Sequence, residues 1–195
     1  MYRINEIFYT LQGEGRHTGR AAVFVRFSGC NLRCPFCDTR HDAYTEMSAA
    51  DIVRAVTAYA SCRFVVLTGG EPALQVDAAL VAALKQANCY LAIETNGTHP
   101  LPAGIDWVTL SPKSPYLPAV AAQPVLRQAD ELKLVFDGRP VEDFPHITVR
   151  HRYLQPCDTG QPEQNRRVLE QCVDYIKQHP QWTLSLQTHK LINIP

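Results

Sequence analysis

The feature that most constrains the fold is an alternation. Short apolar runs, each closing in a polar or glycine-rich cluster, take turns with helical patterns. Ala21 to Phe27 is nearly continuous apolar sequence and ends at Ser28-Gly29. Phe64 to Leu67 ends in Thr68-Gly69-Gly70-Glu71-Pro72, Tyr90 to Glu94 in Thr95-Asn96-Gly97, and Trp107 to Leu110 in Ser111-Pro112-Lys113. Leu132 to Phe136 is another run, and Arg152-Tyr153-Leu154 runs into Gln155-Pro156-Cys157-Asp158. Runs without polar alternation suit strands buried on both faces of a parallel sheet.

Three helices are predicted. Ser48 to Asp51 reads as a capping box opening a helix to about Ala60, with Ile52, Val53, Val56 and Tyr59 inward. A second carries Val76, Leu80, Ala83, Leu84 and Ala87 on one face. A third follows Gln161-Pro162, with Val168, Leu169, Cys172, Val173 and Ile176 inward. Between Gly97 and Pro145 no amphipathic helix is apparent. Ile7 to Leu11 is β-like, and Trp182 to Leu186 could form a final strand.

Alternation implies a parallel α/β sheet. A closed eightfold barrel takes about 250 residues, and this chain has 195. The expectation is an α/β partial (incomplete) TIM-like barrel, with about six parallel strands and about three main helices, as a single domain over 1–195. Ligands of such sheets bind at the carboxyl ends of the strands, where the polar clusters recur.

Zero formal net charge argues against a nucleic-acid tract or a polybasic anchor. No apolar run approaches the roughly 18 residues of a membrane span, and the first residues lack a signal-peptide core. A cytoplasmic protein is expected. Its seven cysteines are then ligands, nucleophiles or buried thiols rather than disulfides.

Three of them, Cys30, Cys34 and Cys37, form C-x3-C-x2-C directly after a strand. A structural zinc site wants four ligands. His41 could be the fourth, but it lies close in sequence to Cys37. An ordinary electron-transfer cluster also wants four cysteines; Cys62 and Cys157 are available without a recognisable spacing. The remaining reading is a cubane held by three thiolates, with one iron open to a small molecule. The triplet alone does not separate this from zinc. Cys89 and Cys172 read as packing residues.

The triplet in the first loop of an α/β partial barrel, with Phe36 before its last cysteine, resembles the signature of the radical S-adenosylmethionine (SAM) superfamily. Thr68 to Pro72 resembles that superfamily's glycine-rich motif. The resemblance implies a 4Fe-4S cluster on Cys30, Cys34 and Cys37. Its open iron chelates the amino and carboxylate groups of SAM. Reductive cleavage of SAM then yields a 5′-deoxyadenosyl radical.

A narrower resemblance spans nearly the whole chain. Glu6 to Gly15, Arg26 to Leu32, Cys37-Asp38-Thr39, Glu94 to Gly97, Ser111 to Lys113 and Leu186 to Lys190 look like the 7-carboxy-7-deazaguanine synthase family. That family is implied to convert 6-carboxy-5,6,7,8-tetrahydropterin to 7-carboxy-7-deazaguanine by radical ring contraction with loss of ammonia, for queuosine and related bases. Hydrogen abstraction from C6 and regeneration of SAM are expected.

Carried over by position, Leu11, Gln12 and Gly13 line the pterin through backbone groups, and Arg26 meets its carboxylate with a planar fork. Thr68, Glu94 and His189 face the substrate. Pro195 brings the last carboxylate to the site, docked by Leu191, Ile192 and Ile194. SAM is contacted by Phe36, Cys37, Asp38 and Gly70, and on its ribose and adenine side by Ser111, Pro112, Lys113, Gln155, Pro156, Cys157 and Asp158. Thr39 is the implied protein ligand of Mg2+, with substrate and water completing the octahedron.

The implied partners are the pterin, an electron donor such as a flavodoxin, and a second copy of the chain in a homodimer, with no nucleic acid and no membrane. Two alternatives stand beside this: an activase that makes a glycyl radical on a partner protein, and a non-catalytic zinc or iron–sulfur module.

Overall fold

The computed structural model describes residues 1–39, 42–117, 122–142 and 144–195. His41, the candidate fourth metal ligand, lies outside the described residues. The elements in chain order are β1 (Tyr2–Leu11), β2 (Ala21–Phe27), β3 (Thr45–Met47), α1 (Ala49–Thr57), β4 (Phe64–Gly69), α2 (Ala78–Gln86), β5 (Tyr90–Thr95), β6 (Trp107–Leu110), β7 (Gln128–Phe136), β8 (Thr148–Pro156), α3 (Pro162–Gln178), β9 (Thr183–Leu184) and α4 (Thr188–Leu191).

One sheet of order β3-β1-β2-β4-β5-β6-β7-β8-β9 carries them all. From β2 to β9 every described pairing is parallel. The sheet is open between β3 and β9, as an incomplete TIM-like barrel. The expected strand and helix pattern is therefore present, with differences at its ends. β1 is longer than Ile7 to Leu11 and pairs antiparallel with β2 and β3. The three-residue β3 has no sequence signal, because so short an edge strand is made by its partner. β7 and β8 both begin earlier than their apolar runs, since their exposed first residues pair with each other. The final strand shrinks to two residues.

The first helix starts where the capping box predicts. Ser48 Oγ accepts from Asp51 N at 3.1 Å, and Asp51 Oδ2 accepts from Ser48 N at 3.1 Å. It ends at Thr57, short of Ala60. Ile52 and Val56 of α1 and Leu80, Val81 and Leu84 of α2 bury against Val23, Val25, Phe27, Val65, Leu67, Leu91 and Ile93. On the far half, Val168 and Cys172 of α3 bury with Leu132, Leu134, Phe136, Leu154 and Trp182. Each fully buried side chain of this size contributes about 1.5–3 kcal/mol.

Side chains alternate across a strand, so the residues between these core positions face inward. On β7, Leu132, Leu134 and Phe136 meet the helix layer, while Lys133 and Val135 line the interior. The interior is layered. At the amino ends of the strands His17 packs against Phe64, Tyr90 and Trp107, with ring centroids 4.9, 6.3 and 4.6 Å away. Arg20 lies 3.9 Å over the Phe64 ring. This aromatic floor closes one end, and charged and polar residues fill the other.

Candidate active site

A cavity of about 700 Å3 opens at the carboxyl ends of the parallel strands. Its lining joins Cys30, Cys34 and Cys37 to Thr68, Gly70 and Glu71 of the glycine-rich turn, and to the ends of β2, β5, β6, β7 and β8. Nearly all the expected site residues meet here. Leu11, Gln12, Gly13, Arg26, Phe36, Asp38, Thr39, Glu94, Ser111, Lys113, Gln155, Pro156, Cys157, Asp158, His189 and Pro195 line it. Pro112 is the exception: it is buried between two lining residues.

The cysteine loop is built onto the sheet from below. Ser28 N donates to Arg3 O at 2.9 Å, and the Gln75 amide donates to Ser28 O at 2.7 Å. Gly70 N donates to Phe27 O and Glu71 N to Gly29 O, at 3.0 and 2.9 Å. A Cβ on Gly70 would stand 2.1 Å from Gly29 O. The glycine therefore lets two loops of the site press backbone to backbone. Glu71, 1% exposed, accepts from Ala73 N, Thr95 Oγ1 and Asn96 N at 2.7–2.9 Å. It ties the end of β4 to the end of β5. Burial raises its proton affinity even against these donors.

Burial likewise raises the Cys30 and Cys34 thiols, which opposes thiolate formation until a cation replaces the proton. A Lys113 ammonium partly offsets this at Cys34. Among the described residues no three His, Cys, Asp or Glu side chains converge on a single point. Three thiols on one loop, facing a cavity in the upper range of small-molecule sites, fit a cluster with a small molecule beside it. Cys62 is buried in the helix-facing core, its thiol 3.5 Å from Ala21 O and Phe64 O, and plays no part.

A network of charges lines the same cavity and reaches the cysteine loop where Gln187 Nε2 donates to Asp38 Oδ2 at 3.2 Å. Lys133 Nζ donates to Glu14 Oε2 at 2.6 Å and to Glu94 Oε2 at 2.8 Å. Glu14 Oε1 accepts from Gln187 Nε2 at 3.0 Å, and Glu94 Oε1 from Gln12 Nε2 at 3.2 Å. Beneath them Glu131 accepts from Arg16 N at 3.0 Å. Burial would raise the Glu14 carboxyl, but Lys133 overcomes it and holds the group down to about 2. In Glu94 burial wins over Lys133 and the proton affinity rises. In Glu131 it wins further, to about 7.

The C-terminal segment spans the mouth. Thr188 N and Oγ1 donate to Gly13 O at 3.0 and 2.9 Å. Lys190 Nζ bridges Asp38 of the cysteine loop and Asp158 after β8, at 2.8 Å each. A Cβ on Gly13 would meet the His189 ring at 2.1 Å, so this glycine makes room for the imidazole. Pro195 O accepts from Thr10 Oγ1 at 3.2 Å. The tail docks with Ile194 half-buried, but Leu191 and Ile192 take no part in docking it. Leu191 and Ile192 are 71% and 58% exposed, because polar bonds to Thr10 and Gly13 set its path. Arg26 lines the cavity while its Nε donates to Glu6 Oε1 at 2.7 Å, the cross-strand partner given by register.

Sequence reasoning did not single out Glu14, Glu71, Glu131, Lys133, Gln187 or Lys190. Signals existed: Glu14, Glu71, Gln187 and Lys190 lie inside the motif stretches Glu6 to Gly15, Thr68 to Pro72 and Leu186 to Lys190, and Glu131 and Lys133 sit at alternate positions of an apolar strand, the mark of an inward polar face.

Three cysteines on the loop after β2, pressed against a glycine-rich turn after β4 at the mouth of a partial barrel, define a radical SAM enzyme. Residues 24–117 match the Radical SAM superfamily. The chain is 49% identical over 194 residues to 7-carboxy-7-deazaguanine synthase of Bacteroides thetaiotaomicron, covering 100% of this chain and 99% of the relative. It is 44% identical to that of Bordetella pertussis, with 100% and 99% covered. The crystal structure of QueE from Escherichia coli superposes with a TM-score of 0.73 at 30% identity, covering 95% of this chain and 93% of that one. The chain belongs to the 7-carboxy-7-deazaguanine synthase family. It is thus a radical SAM lyase of queuosine biosynthesis, with a 4Fe-4S cluster and SAM as cofactors, which replaces the activase and zinc-module alternatives. No helix among the described residues is long and apolar enough to cross a membrane.

Proposed function

We propose that this enzyme converts 6-carboxy-5,6,7,8-tetrahydropterin to 7-carboxy-7-deazaguanine by ring contraction with loss of ammonia. The observation that carries the reading is a cavity lined both by the cysteine loop and by a fixed array of polar groups. The continuous sheet supports one radical SAM domain over 1–195.

When bound, cluster and SAM supply a radical that abstracts a hydrogen atom. The chain's residues orient the partners and exclude water. Cys30, Cys34 and Cys37 hold the cluster. Phe36, Cys37, Asp38 and Gly70 would contact SAM. Ser111, Pro112, Lys113 and Gln155 to Asp158 lie toward its ribose and adenine. Leu11, Gln12 and Gly13 border the pterin edge, although Gln12 N and O already pair with Arg20 O and Gly19 N and Gly13 O with Thr188, and Thr68, Glu94, His189 and Pro195 close around it. Arg26 donates its Nε to Glu6 Oε1, so its terminal nitrogens can turn to the substrate carboxylate. Thr39 beside the cluster loop is the protein ligand for Mg2+, which holds the pterin only when substrate and water complete the site. A flavodoxin-type donor and a homodimer are carried over from the family resemblance, and exposed Leu191 and Ile192 are compatible with a covered face.

Anaerobic reconstitution with iron and sulfide, followed by SAM, reductant, Mg2+ and the carboxytetrahydropterin, tests the proposal. The expected products are a deazaguanine chromophore and ammonia in equal amounts. A SAM-responsive cluster that yields neither would overturn it.

A further inference from the structure

Lys133 is the residue whose placement the family motifs do not explain. It lies on β7, 6% exposed, with its ammonium between Glu14 of the loop after β1 and Glu94 at the end of β5. A buried ammonium is costly unless several acceptors surround it, and here carboxylates do. All three residues line the active cavity.

The remaining hydrogen bonds of the two carboxylates are also fixed. Each gives one oxygen to Lys133 and the other to a glutamine amide, Gln187 for Glu14 and Gln12 for Glu94. A carboxylate oxygen has two lone pairs, so each can still accept one more donor. The result is a pair of acceptors in the cavity that the cysteine loop also lines. The amino-pyrimidinone edge of a pterin presents N–H donors in a plane, the complement of such acceptors.

We propose that Lys133 is a positioning residue for substrate recognition: it clamps Glu14 and Glu94 as two acceptors for the N–H edge of the pterin. It does not itself touch the reacting atoms. Without the clamp, the two carboxylates repel or take up protons, and a protonated carboxyl donates where the pterin needs an acceptor. The charged and titratable groups facing the clamp are Glu14, Glu94, Glu131, Lys113 and His189, and Lys133 touches two carboxylates among them directly. This inference rests on the pterin reading above.

The test compares wild type, Lys133→Met and Lys133→Arg as reconstituted holoenzymes. Pterin binding is measured by anaerobic equilibrium dialysis, kcat and KM by product formation, and SAM binding by its perturbation of the reduced-cluster electron paramagnetic resonance spectrum. Loss of a buried charged hydrogen-bond partner is expected to weaken pterin binding by about tenfold or more in K133M. KM rises accordingly, K133R recovers part of the affinity, and the SAM-induced spectral change persists in both. K133M with pterin affinity within about twofold of wild type overturns the proposal. So does K133M that loses the SAM response together with pterin binding, since that is collapse of the site. Wild type that binds no pterin overturns the functional reading first, and this inference with it.

Discussion

The two walls of the cavity present contrasting chemistry. On one side Cys30, Cys34 and Cys37 sit on an irregular loop, half-buried to exposed, with burial disfavouring the thiolate form at Cys30 and Cys34. On the other, Glu94 and Lys133 project from strands whose outer faces are locked into the core, and their charges already have partners. The cysteine wall acquires its geometry with its metal, because thiolate ligation and metal binding are one coupled step. The lysine wall is ready beforehand, as a recognition surface must be if orienting substrate is its task. The same mouth thus combines a wall completed by a cofactor and a wall completed by folding.

The sharpest way to break the contrast is to remove a thiol. Cys34→Ala should abolish cluster iron and product formation, while far-ultraviolet circular dichroism and melting temperature of the apoprotein stay at wild-type values. A large drop in melting temperature would show that the loop supports the sheet.

Gly70→Ala comes next. Its methyl group would collide with backbone at Gly29, so either the cysteine loop or the glycine-rich turn must move. Overpacking against backbone costs about 1–3 kcal/mol. Iron content after reconstitution should fall along with stability in chemical denaturation, while the lysine wall still binds pterin.

The lysine network can be probed by pH, because Glu131 beneath it and Glu14 within it are shifted in opposite directions. Burial raises Glu131 from 4.5 to about 7, so the folded state holds a proton there that the unfolded state releases. Stability is therefore lost as pH rises from about 4.5 to about 7, by about 3 kcal/mol at most. Glu131→Gln should be more stable than wild type above pH 7, and the advantage should vanish near pH 4.5. Glu14 is held down to about 2 by Lys133 against burial. Its contribution is present above about 4.5 and is lost as pH falls toward 2, so Glu14→Gln should flatten the acid limb of the stability profile. Melting curves across pH 3–8 read both.

The smallest effect is expected at Lys190, which ties the two walls' rims through Asp38 and Asp158. Its side chain is 35% exposed, and such partly solvated pairs contribute about 1 kcal/mol or less. Lys190→Met should leave melting nearly unchanged and speed amide exchange at residues 37–39.

Much of this was legible because it is local. The cysteine spacing, the Thr68 to Pro72 turn, the Ser48–Asp51 capping box and the apolar runs each need only a few neighbouring residues. What was illegible depends on distance. Lys190 meets Asp38 across 152 residues of sequence, and Lys133 meets Glu14 across 119. No local pattern encodes such pairs. Edge strand β3 exists only because β1 offers it hydrogen bonds. Leu191 and Ile192 misled because apolarity predicts burial only where a surface is available, and polar contacts had already placed the tail.

Hydrogen–deuterium exchange of apo and cluster-loaded protein tests the central contrast most directly. Loading should strongly protect residues 30–39 and leave the amides of residues 90–95 and 128–136 at their already slow rates. Equal new protection in both walls, or a loop already protected in the apoprotein, would contradict a site with one wall made by folding and the other by its cofactor.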